Sequence, residues 1–397
     1  MTSFFSDVKE APLDPIFGIT TSFNADPRSN KVNLGVGVYR TANLETAVLH
    51  TVVKAELLLS ELGPSREYLP MDGDARFVAR MAEIVFGKPM EEIDGLYGTQ
   101  TIGGTGGLRI VGEFLKGKLS KEVIYLPDPT WANHNAIFSA AGLRVEKYPF
   151  YDPATYSLAH HALLAELNRL PHGSAVLFHA ACHNPTGVDP TLAQWEEIAA
   201  IVKERSLLTI FDSAYQGLGD GIDEDAKAMR LFQRQGLQFF ACTSNSKNFG
   251  LYAERIGALF INTRDEQEAA NVGSQVRTIV RAAYSNPACH GAWIIEAILS
   301  NKRLRAEWLG ELSAMCSRIS EMREALAEAL TQMRPDRNFT ALLKQRGLFS
   351  FCGLNRAQSE RLRDEFAIYT PSNGRINVAG LNEENLDYVA QAVAAVL

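Results

Sequence analysis

Residues 244–255 combine the side chains of this sequence that are best suited to covalent chemistry. Lys247 stands beside Ser244 and Ser246, and Arg255 follows eight residues after the lysine. A lysine amine forms an imine with an aldehyde, while hydroxyl and guanidinium groups bind an anion such as phosphate. An aldehyde and a phosphate on one small ring describe pyridoxal phosphate, a cofactor that is carried on a lysine. The segment therefore predicts a pyridoxal phosphate site centred on Lys247.

A glycine-rich run at residues 103–107 opens a predicted helix and offers a second surface for the same phosphate. Gly104 and Thr105 lie within this run. Backbone N–H groups are exposed at the N-terminus of a helix, where the helix dipole attracts anions. A glycine-rich turn on its own is equally often a plain loop, so this prediction depends on the serines and the arginine that follow another strand.

Asp212 ends an apolar, strand-like run, and Tyr215 follows it by three residues. On its own, the carboxylate could equally cap a helix or bind magnesium. Beside a lysine that carries the cofactor, it would pair with the pyridine nitrogen and keep that nitrogen protonated. A protonated ring withdraws electrons from a carbanion at the α-carbon of a substrate. Tyr215 could hydrogen-bond to the 3-oxygen of the ring.

Asn184 and Trp131 follow two other predicted strands. Asn184 precedes Pro185 in a tight turn, a candidate cis peptide that would direct the asparagine amide toward the 3-oxygen. A simple turn is the alternative. Trp131 offers a flat face for stacking on the ring, although a core position is the more common role of a tryptophan. His179 and His183 are four residues apart on a strand and a loop, and no metal site is predicted.

Arg281 and Arg375 complete the set of candidate residues. Arg375 lies in a strand-like run, which is an unusual place for an exposed charge. A surface ion pair is the usual role of any arginine. Two guanidinium groups would also suit a substrate with two carboxylates, because each group can bind one carboxylate through a pair of hydrogen bonds.

The elements that must hold these groups alternate between strands and helices from about residue 95 to residue 262. Strands are predicted at 122–126, 143–147, 174–179, 207–211, 238–243 and 256–261. A capping box formed by Thr191 and Gln194 predicts a helix over 191–205. Strands separated by helices of this length predict an α/β fold with a mostly parallel sheet and helices on both faces. Ligands of such sheets bind at the carboxyl ends of the strands, where the motifs above lie.

The C-terminal part has a different pattern. A long amphipathic helix is predicted over 303–333, followed by strands at 348–354 and 375–379 and a terminal helix after Asn382. A chain of 397 residues exceeds the usual size of a single core. We predict an N-terminal arm and part of a small domain in 1–45, a large cofactor-binding domain in 46–305 and a small α+β domain in 306–397.

Composition restricts the classes of partner and the cellular compartment. The formal net charge is −7, which argues against nucleic acid or an anionic membrane surface as a partner. An anionic substrate must then be bound by local arginines. The five widely spaced cysteines contain no C-x-x-C pair, so reduced thiols are predicted. The sequence shows neither a signal peptide nor an apolar run of membrane-spanning length, and a cytoplasmic location is expected.

Taken together, the motifs resemble those of class I aminotransferases of the aspartate and aromatic amino-acid type. The likeness covers nearly the whole chain, from Asn-Leu-Gly-Val-Gly-Val-Tyr at 33–39 and Tyr-Leu-Pro at 68–70 to Arg-Ile-Asn-Val-Ala-Gly at 375–380. It implies the fold type I of pyridoxal phosphate enzymes. It also implies a homodimer whose active sites lie at the subunit interface.

The resemblance implies a role for each matching residue. Lys247 would hold the cofactor and move the proton, and Asp212 would pair with the ring nitrogen. The other residues implied to contact the cofactor are Tyr68 (from the partner subunit), Gly104, Thr105, Trp131, Asn184, Tyr215, Ser244, Ser246 and Arg255. Those implied to contact the substrate are Gly37, Trp131, Asn184, Arg281 (from the partner subunit) and Arg375. Phe349 would form a wall of the substrate pocket.

The predicted reaction is the reversible transfer of the amino group from L-aspartate to 2-oxoglutarate, giving oxaloacetate and L-glutamate. The alternative is an aromatic or broad-specificity aminotransferase, in which Arg281 moves aside for a ring. Glu67 and Arg40 lie at rim positions that vary between the two types, so they leave this breadth open. A β-eliminating lyase is disfavoured by the paired arginines. A non-catalytic binding protein would have little need of the full set of residues.

Overall fold

The computed structural model of the protein describes residues 3–11 and 17–397. Within these residues the helices are α1 Phe17–Ala25, α2 His50–Leu62, α3 Ala75–Phe86, α4 Gly103–Gly117, α5 Asn133–Ala140, α6 His160–Arg169, α7 Leu192–Glu204, α8 Lys227–Arg234, α9 Glu266–Ala283, α10 His290–Ser300, α11 Lys302–Met333, α12 Arg356–Phe366 and α13 Leu386–Val396. The strands are β1 Val32–Asn33, β2 Leu96–Ile102, β3 Val123–Asp128, β4 Arg144–Pro149, β5 Tyr151–Asp152, β6 Ser157–Leu158, β7 Ala175–His179, β8 Leu208–Ser213, β9 Phe239–Ser244, β10 Ile256–Asn262, β11 Phe349–Phe351, β12 Ile368–Tyr369 and β13 Arg375–Asn377.

Seven of these strands form a central sheet in the order β2-β10-β9-β8-β7-β3-β4. The strands from β9 to β4 pair in parallel, and β10 is antiparallel to both of its neighbours. The predicted α/β fold with a mostly parallel sheet is confirmed. Because β10 runs in the opposite direction, its first residues pair with the last residues of β9 and β2, as Gly257 does with Ser244. The start of β10 therefore lies at the same sheet edge as the ends of the parallel strands.

Apolar side chains cover both faces of this sheet, which explains why β7, β9 and β10 are buried along their whole length. On one face, α7 and α8 contribute to an aromatic cluster in which the rings of Trp195 and Phe211 lie 5.8 Å apart. On the other face, Leu108 and Val111 of α4 pack with Phe240 of β9. The two layers pack the strands that end at the edge where the candidate residues are found.

The predicted capping box of α7 is confirmed. The Thr191 hydroxyl accepts a hydrogen bond from the backbone N–H of Gln194, and the Gln194 side chain accepts one from the backbone N–H of Thr191. These two bonds satisfy N–H groups that have no partner within the helix. The helix therefore begins where the sequence predicts.

The long helix α11 has 32 residues and buries Trp308, Leu312, Met315 and Ile319 along one side. It packs against α10 and α13. The predicted terminal helix is present as α13. Near it, β1 pairs in parallel with β12, and this pairing joins the N-terminal region to the C-terminal elements.

Two predicted C-terminal strands were too long. The strand predicted at 348–354 is limited to β11, because its antiparallel partner β13 is only three residues long and Gly353 adopts a positive φ of 80°. The strand predicted at 375–379 ends at Asn377, and Val378–Gly380 forms a 3₁₀ helix. The side chain of Asn377 accepts a hydrogen bond from the N–H of Ala379 and so caps that turn.

Other predictions stay open or are only partly covered. The domain bounds at 1–45, 46–305 and 306–397 stay a prediction, and residues 1, 2 and 12–16 of the first region lie outside the described residues. All five cysteines lie in the described part of the chain and are unpaired. No helix over residues 3–11 and 17–397 combines the length and the apolar character needed to cross a membrane.

Candidate active site

A cavity of about 380 Å³ opens at the sheet edge where β7, β8 and β9 end and α4 begins. Thirteen of the residues predicted from the sequence line it: Gly37, Gly104, Thr105, Trp131, Asn184, Asp212, Tyr215, Ser244, Ser246, Lys247, Arg255, Phe349 and Arg375. Two predicted residues do not. Tyr68 is 88% exposed, and Arg281 lies on the exposed side of α9, where it donates a hydrogen bond to Ser285.

Lys247 lies in the loop between β9 and β10, and its Nζ is 5.0 Å from the centroid of the Tyr215 ring. Burial of the amine lowers the pKa of Lys247 to about 8. The carboxylate of Asp212 opposes this shift, and the guanidinium groups of Arg255 and Arg375 add to it. Because an ordinary lysine has a pKa of about 10.4, a larger share of this amine is neutral, and therefore nucleophilic, near pH 7.

Asp212 lies near the end of β8 and is 5% exposed. Its Oδ2 accepts a hydrogen bond of 2.9 Å from Nε2 of His134, which is fully buried. Burial by itself raises the pKa of Asp212, but this hydrogen bond and the nearby positive charges hold the pKa below its ordinary value. The carboxylate is therefore anionic at neutral pH and suited to a cationic partner in the cavity.

His134 and His179 were not assigned to the site from the sequence. Nδ1 of His134 shares a 2.8 Å hydrogen bond with the hydroxyl of Thr130, which orients the ring toward Asp212. His179 lines the cavity, both of its ring nitrogens lack a partner in the described chain, and burial lowers its pKa to about 3. The ligand atoms of the two imidazoles and Asp212 lie within 4.8 Å of one another, a spacing that could also hold a metal ion. The signal for His134 was its position in the Trp131 segment, after β3.

Arg375, on β13, is a buried cation that its protein neighbours leave incompletely satisfied. Nη1 donates to Oδ1 of Asn184 at 2.9 Å, and Nη2 donates to the carbonyl of Gly35 at 2.5 Å. Nε has no partner in the described chain, and burial lowers the pKa of Arg375 to about 10. The guanidinium carbon lies 3.9 Å from the centroid of the Phe349 ring. A buried guanidinium without a carboxylate partner fits a carboxylate ligand.

Asn184 lies between this guanidinium and Tyr215. Its Nδ2 is 3.5 Å from the Tyr215 hydroxyl, and burial raises the pKa of that hydroxyl above its ordinary value. The predicted cis peptide between Asn184 and Pro185 is confirmed. Asn184 lines the cavity, and its amide contacts both Arg375 and Tyr215.

An anion site lies at the N-terminus of α4. The hydroxyl of Ser246 accepts hydrogen bonds of 3.2 Å from Ser244 Oγ and from Arg255 Nη1. Gly103 has a positive φ of 62°, and a Cβ atom there would lie 2.8 Å from Nη2 of Arg255. Glycine at this position therefore allows the helix start and the guanidinium to approach each other closely. Hydroxyls, a guanidinium and helix N–H groups form a donor set that fits a phosphate group.

Tyr252 also lines the cavity and was not predicted from the sequence. Its hydroxyl accepts a hydrogen bond of 2.9 Å from the backbone N–H of Tyr39. The lysine segment is thereby tied to the loop that carries Gly37. A signal was present, since Tyr252 stands only five residues after Lys247. With an amine, an anion site and an anionic carboxylate in one cavity, the residues present fit the predicted pyridoxal phosphate.

Comparison with known proteins gives full-length matches. The family model for aminotransferase class I and II matches residues 29–393. An aspartate aminotransferase of Pseudomonas aeruginosa is 44% identical over 100% of both chains. The crystal structure of an aromatic-amino-acid aminotransferase from Burkholderia pseudomallei, covalently bound to pyridoxal phosphate, is 46% identical over 100% of both chains, with a TM-score of 0.96. Aspartate aminotransferase from the cytoplasm of Saccharomyces cerevisiae is 36% identical over 99% of this chain and 98% of its own, with a TM-score of 0.95.

Proposed function

Because the chain belongs to the aminotransferase class I and II family, we propose that it transfers the amino group of L-aspartate to 2-oxoglutarate, giving oxaloacetate and L-glutamate. It is a pyridoxal phosphate-dependent transaminase, and the reaction is reversible. The observation that carries the proposal is the shared cavity of three groups: the amine of Lys247, the carboxylate of Asp212 and the incompletely paired guanidinium of Arg375. The 44% identity to an aspartate aminotransferase over the full length of both chains supports the choice of substrate.

Bound pyridoxal phosphate supplies an electron-withdrawing ring that stabilises negative charge at the α-carbon of the substrate. Asp212, kept anionic by His134, would hold the ring nitrogen protonated. Ser244, Ser246 and Arg255 would bind the phosphate together with the first turn of α4. Trp131 would cover one face of the ring, since it lines the same cavity.

Lys247 would have two tasks in this reaction. Its amine would carry the cofactor between turnovers. When it is not bound to the cofactor, its Nζ would take a proton from the α-carbon of the substrate and later give a proton back. A pKa of about 8 suits this exchange, because a base that both accepts and donates a proton works best with a pKa near the working pH.

Arg375 and Asn184 would orient the substrate. The guanidinium has donors left for the α-carboxylate, and the amide of Asn184 fixes the guanidinium from one side. The Phe349 ring packs against its face and excludes water there. Two-point binding of the carboxylate would restrict rotation of the substrate in the cavity that also contains Lys247, and proton removal requires such a fixed position.

We also infer a homodimer with shared active sites. Tyr68 and Arg281 are exposed and lie outside the cavity of their own chain, as expected for groups that complete the site of a partner. The outer side of α2 exposes Val53 and Leu57, which lie four residues apart on one face and are apolar side chains of the kind that oligomer contacts bury. Arg281 of the partner subunit would then bind the side-chain carboxylate of the dicarboxylic substrate.

The domain boundaries and the cellular location belong to the same proposal. We divide the chain into an arm and part of a small domain at 1–45, a large domain at 46–305 and a small domain at 306–397. The seven-stranded sheet within the second region and the pairing of β1 with β12 support this division. We further infer that the enzyme acts in the cytoplasm, as the similar enzyme of S. cerevisiae does.

An aromatic or broad-specificity aminotransferase is the second candidate. It is favoured by the 46% identity to the aromatic-amino-acid aminotransferase of B. pseudomallei. Arg281 also has a short, exposed contact with Ser285 rather than a buried anchor. Its own chain therefore does not fix the side chain in the pocket of the partner subunit, so an aromatic ring there would displace it at little cost.

A panel of amino donors with 2-oxoglutarate tests the proposal. We expect kcat/KM for aspartate to exceed the values for tyrosine and phenylalanine by at least about 100-fold, because an apolar ring leaves the charged group of Arg281 unpaired. Lys247→Ala should abolish turnover of every donor, while Lys116→Ala, which removes a surface lysine paired with Glu122, should leave it unchanged. Comparable values for all three donors would favour the second candidate. Full activity of Lys247→Ala would refute both.

A further inference from the structure

The turn at residues 180–189 carries Asn184, which contacts both halves of the site. Its Nδ2 lies near the Tyr215 hydroxyl on the cofactor side, and its Oδ1 accepts the hydrogen bond from Nη1 of Arg375 on the substrate side. A shift of Asn184 would therefore change the direction of the guanidinium that is proposed to bind the α-carboxylate. The contacts that fix this turn consequently bear on substrate affinity.

Asp189 closes the turn with both of its carboxylate oxygens. Oδ2 accepts a hydrogen bond of 2.6 Å from the N–H of Cys182, and Oδ1 accepts one of 2.9 Å from the N–H of His183. These two residues come directly before Asn184. Cys182 also has a positive φ of 54°, a conformation that is unfavourable for a residue with a side chain. The turn therefore depends on an external contact to keep its shape.

The contact requires a side chain with two acceptor oxygens, as a carboxylate has. Burial of the charged carboxylate at this position costs free energy. An asparagine would present an NH₂ group to one of the two N–H groups, because it has a single acceptor oxygen. Burial raises the pKa of Asp189 to about 7, and the carboxylates of Asp225 and Asp220 add to the shift. A neutral side chain would be cheaper to bury here. The two acceptor oxygens explain why an acid stands at this position.

The far side of the turn is fixed by the C-terminal part of the chain. The backbone N–H of Arg346 donates a hydrogen bond of 2.7 Å to the carbonyl of Gly187. Gly187 has a positive φ of 67°, and a Cβ atom there would lie 2.7 Å from the carbonyl oxygen of Phe349. Asn184 thus lies between two anchored points, one formed by Asp189 and the other by the segment around β11.

We propose that Asp189 is a positioning residue for binding of the substrate carboxylate: it fixes the N–H groups of Cys182 and His183 and thereby sets Asn184 against Arg375. Asp189 does not line the cavity, so it acts through Asn184. This inference rests on the proposed function, because it takes Arg375 as the group that binds the α-carboxylate.

Asp225 supplies a matched control. Its Oδ2 accepts hydrogen bonds from the N–H groups of Gly217 and Gly219, and its Oδ1 accepts one from Asp220, all at 2.8 to 2.9 Å. It is a buried carboxylate in the same acidic neighbourhood, and it also fixes a turn through both oxygens. That turn does not carry Asn184. Asp225→Asn therefore removes the same charge and similar hydrogen bonds without the proposed positioning effect.

Calorimetric titration of the holoenzymes with succinate, a dicarboxylate without an amino group, tests the proposal. For Asp189→Asn we expect the Kd to rise about tenfold, because an N–H group left without an acceptor displaces the turn. The KM for aspartate should rise in parallel, with kcat lowered less than about threefold. Asp225→Asn should keep the Kd within about twofold of wild type, although both variants lower Tm.

A double-mutant cycle with Asn184→Ala separates positioning from general destabilisation. If Asp189 acts through Asn184, the double variant should bind succinate no more weakly than Asn184→Ala alone. Additive losses, or equal losses in Asp189→Asn and Asp225→Asn, would overturn the proposal, as would a wild-type Kd in Asp189→Asn. Should that variant not fold, Asp189→Glu retains the charge but displaces both oxygens, and the same outcomes apply. Failure of the wild type to transaminate aspartate would instead refute the proposed function.

Discussion

The amine of Lys247 is the side chain whose chemistry depends most on its surroundings. Burial lowers its pKa, two guanidinium groups act in the same direction, and only Asp212 opposes them. The protein thus raises the neutral fraction of the amine at neutral pH before any ligand is bound. This preference has a cost for the fold, because the native state binds the proton less tightly than the unfolded chain does. The buried amine therefore destabilises the cofactor-free protein fully below about pH 8, and this penalty fades as the pH rises toward about 10.

Cofactor uptake by the apoenzyme should therefore depend on pH in a defined way. Only the neutral amine reacts with an aldehyde, so we expect the rate of pyridoxal phosphate uptake to rise with pH and to level off above about pH 8. The free amine of N-acetyl-lysine methyl ester is the control, and its rate should keep rising to about pH 10. Absorbance of the bound cofactor after mixing measures both rates. A plateau near pH 10 in the protein would contradict the lowered pKa.

Single residues that belong to the lysine and glycine motifs could be predicted from the sequence, because their roles follow from residue type and neighbours in the chain. His134, Tyr252 and Asp189 were not assigned to the site, although His134 and Tyr252 lie within the motif segments of Trp131 and Lys247. Each acts through a partner far away in the chain or through the backbone, as His134 does with Asp212 across 78 positions. Residue types do not disclose such pairs, and a buried histidine has many possible partners in a chain of this size.

The start of helix α4 shows how an element supports binding. Gly103 combines a positive φ with close approach to Arg255. Gly117, at the other end of the same helix, has open space where a Cβ atom would be. The same substitution at the two ends should therefore have different consequences.

We expect Gly103→Ala to weaken pyridoxal phosphate binding about tenfold or more, because the added methyl group displaces Arg255 and one hydrogen bond to a charged group is worth roughly 1.5–3 kcal/mol. Gly117→Ala should leave the affinity unchanged and raise the free energy of unfolding slightly, since alanine favours helix. Fluorescence titration of the apoenzymes with the cofactor measures the Kd. Equal affinities of the two variants would show that the close approach at Gly103 does not matter.

At the level of elements, local sequence signals predicted the helix ends and the strands well. The direction and the length of the paired strands could not be predicted in the same way. The capping box of α7 depends on residues three apart, so Thr191 and Gln194 could be interpreted from the sequence alone. The apolar run of β10 predicted a buried strand but carried no information on its direction, because burial on both faces gives the same pattern in either orientation. The shortening of β13 depends on the side chain of Asn377, whose contacts with the loop of Val36 and Val38 are set by the tertiary fold.

A single chain of this molecule provides only part of the proposed site for a dicarboxylic substrate. The cavity of one chain provides for the cofactor and for one carboxylate, whereas Arg281, expected to bind the second carboxylate, lies on the outside of α9. Activity toward dicarboxylic substrates should thus be a property of the dimer.

Coexpression of two defective variants tests this sharing. In the proposed dimer, each site combines Lys247 of one subunit with Arg281 of the other. A mixed dimer of Lys247→Ala and Arg281→Ala subunits therefore has both substitutions in one site, and its other site is intact. Random pairing makes about half of the dimers mixed, so about a quarter of all sites should recover activity with aspartate. Coexpression of Lys247→Ala with Asp212→Asn is the control and should show no recovery, because both residues line the same cavity. No recovery in the first pair would place Arg281 outside the partner's site.

The reversal of β10 has a consequence for anyone who wishes to transplant this chemistry into another scaffold. The hydroxyls come from the end of one strand, the guanidinium from the start of its antiparallel neighbour, and the amides from a helix more than a hundred residues earlier. Copying only Lys247 and its immediate neighbours would give an amine that reacts with an aldehyde but a site that does not bind the phosphate. A graft must carry the β9–β10 hairpin and the first turn of α4 in register.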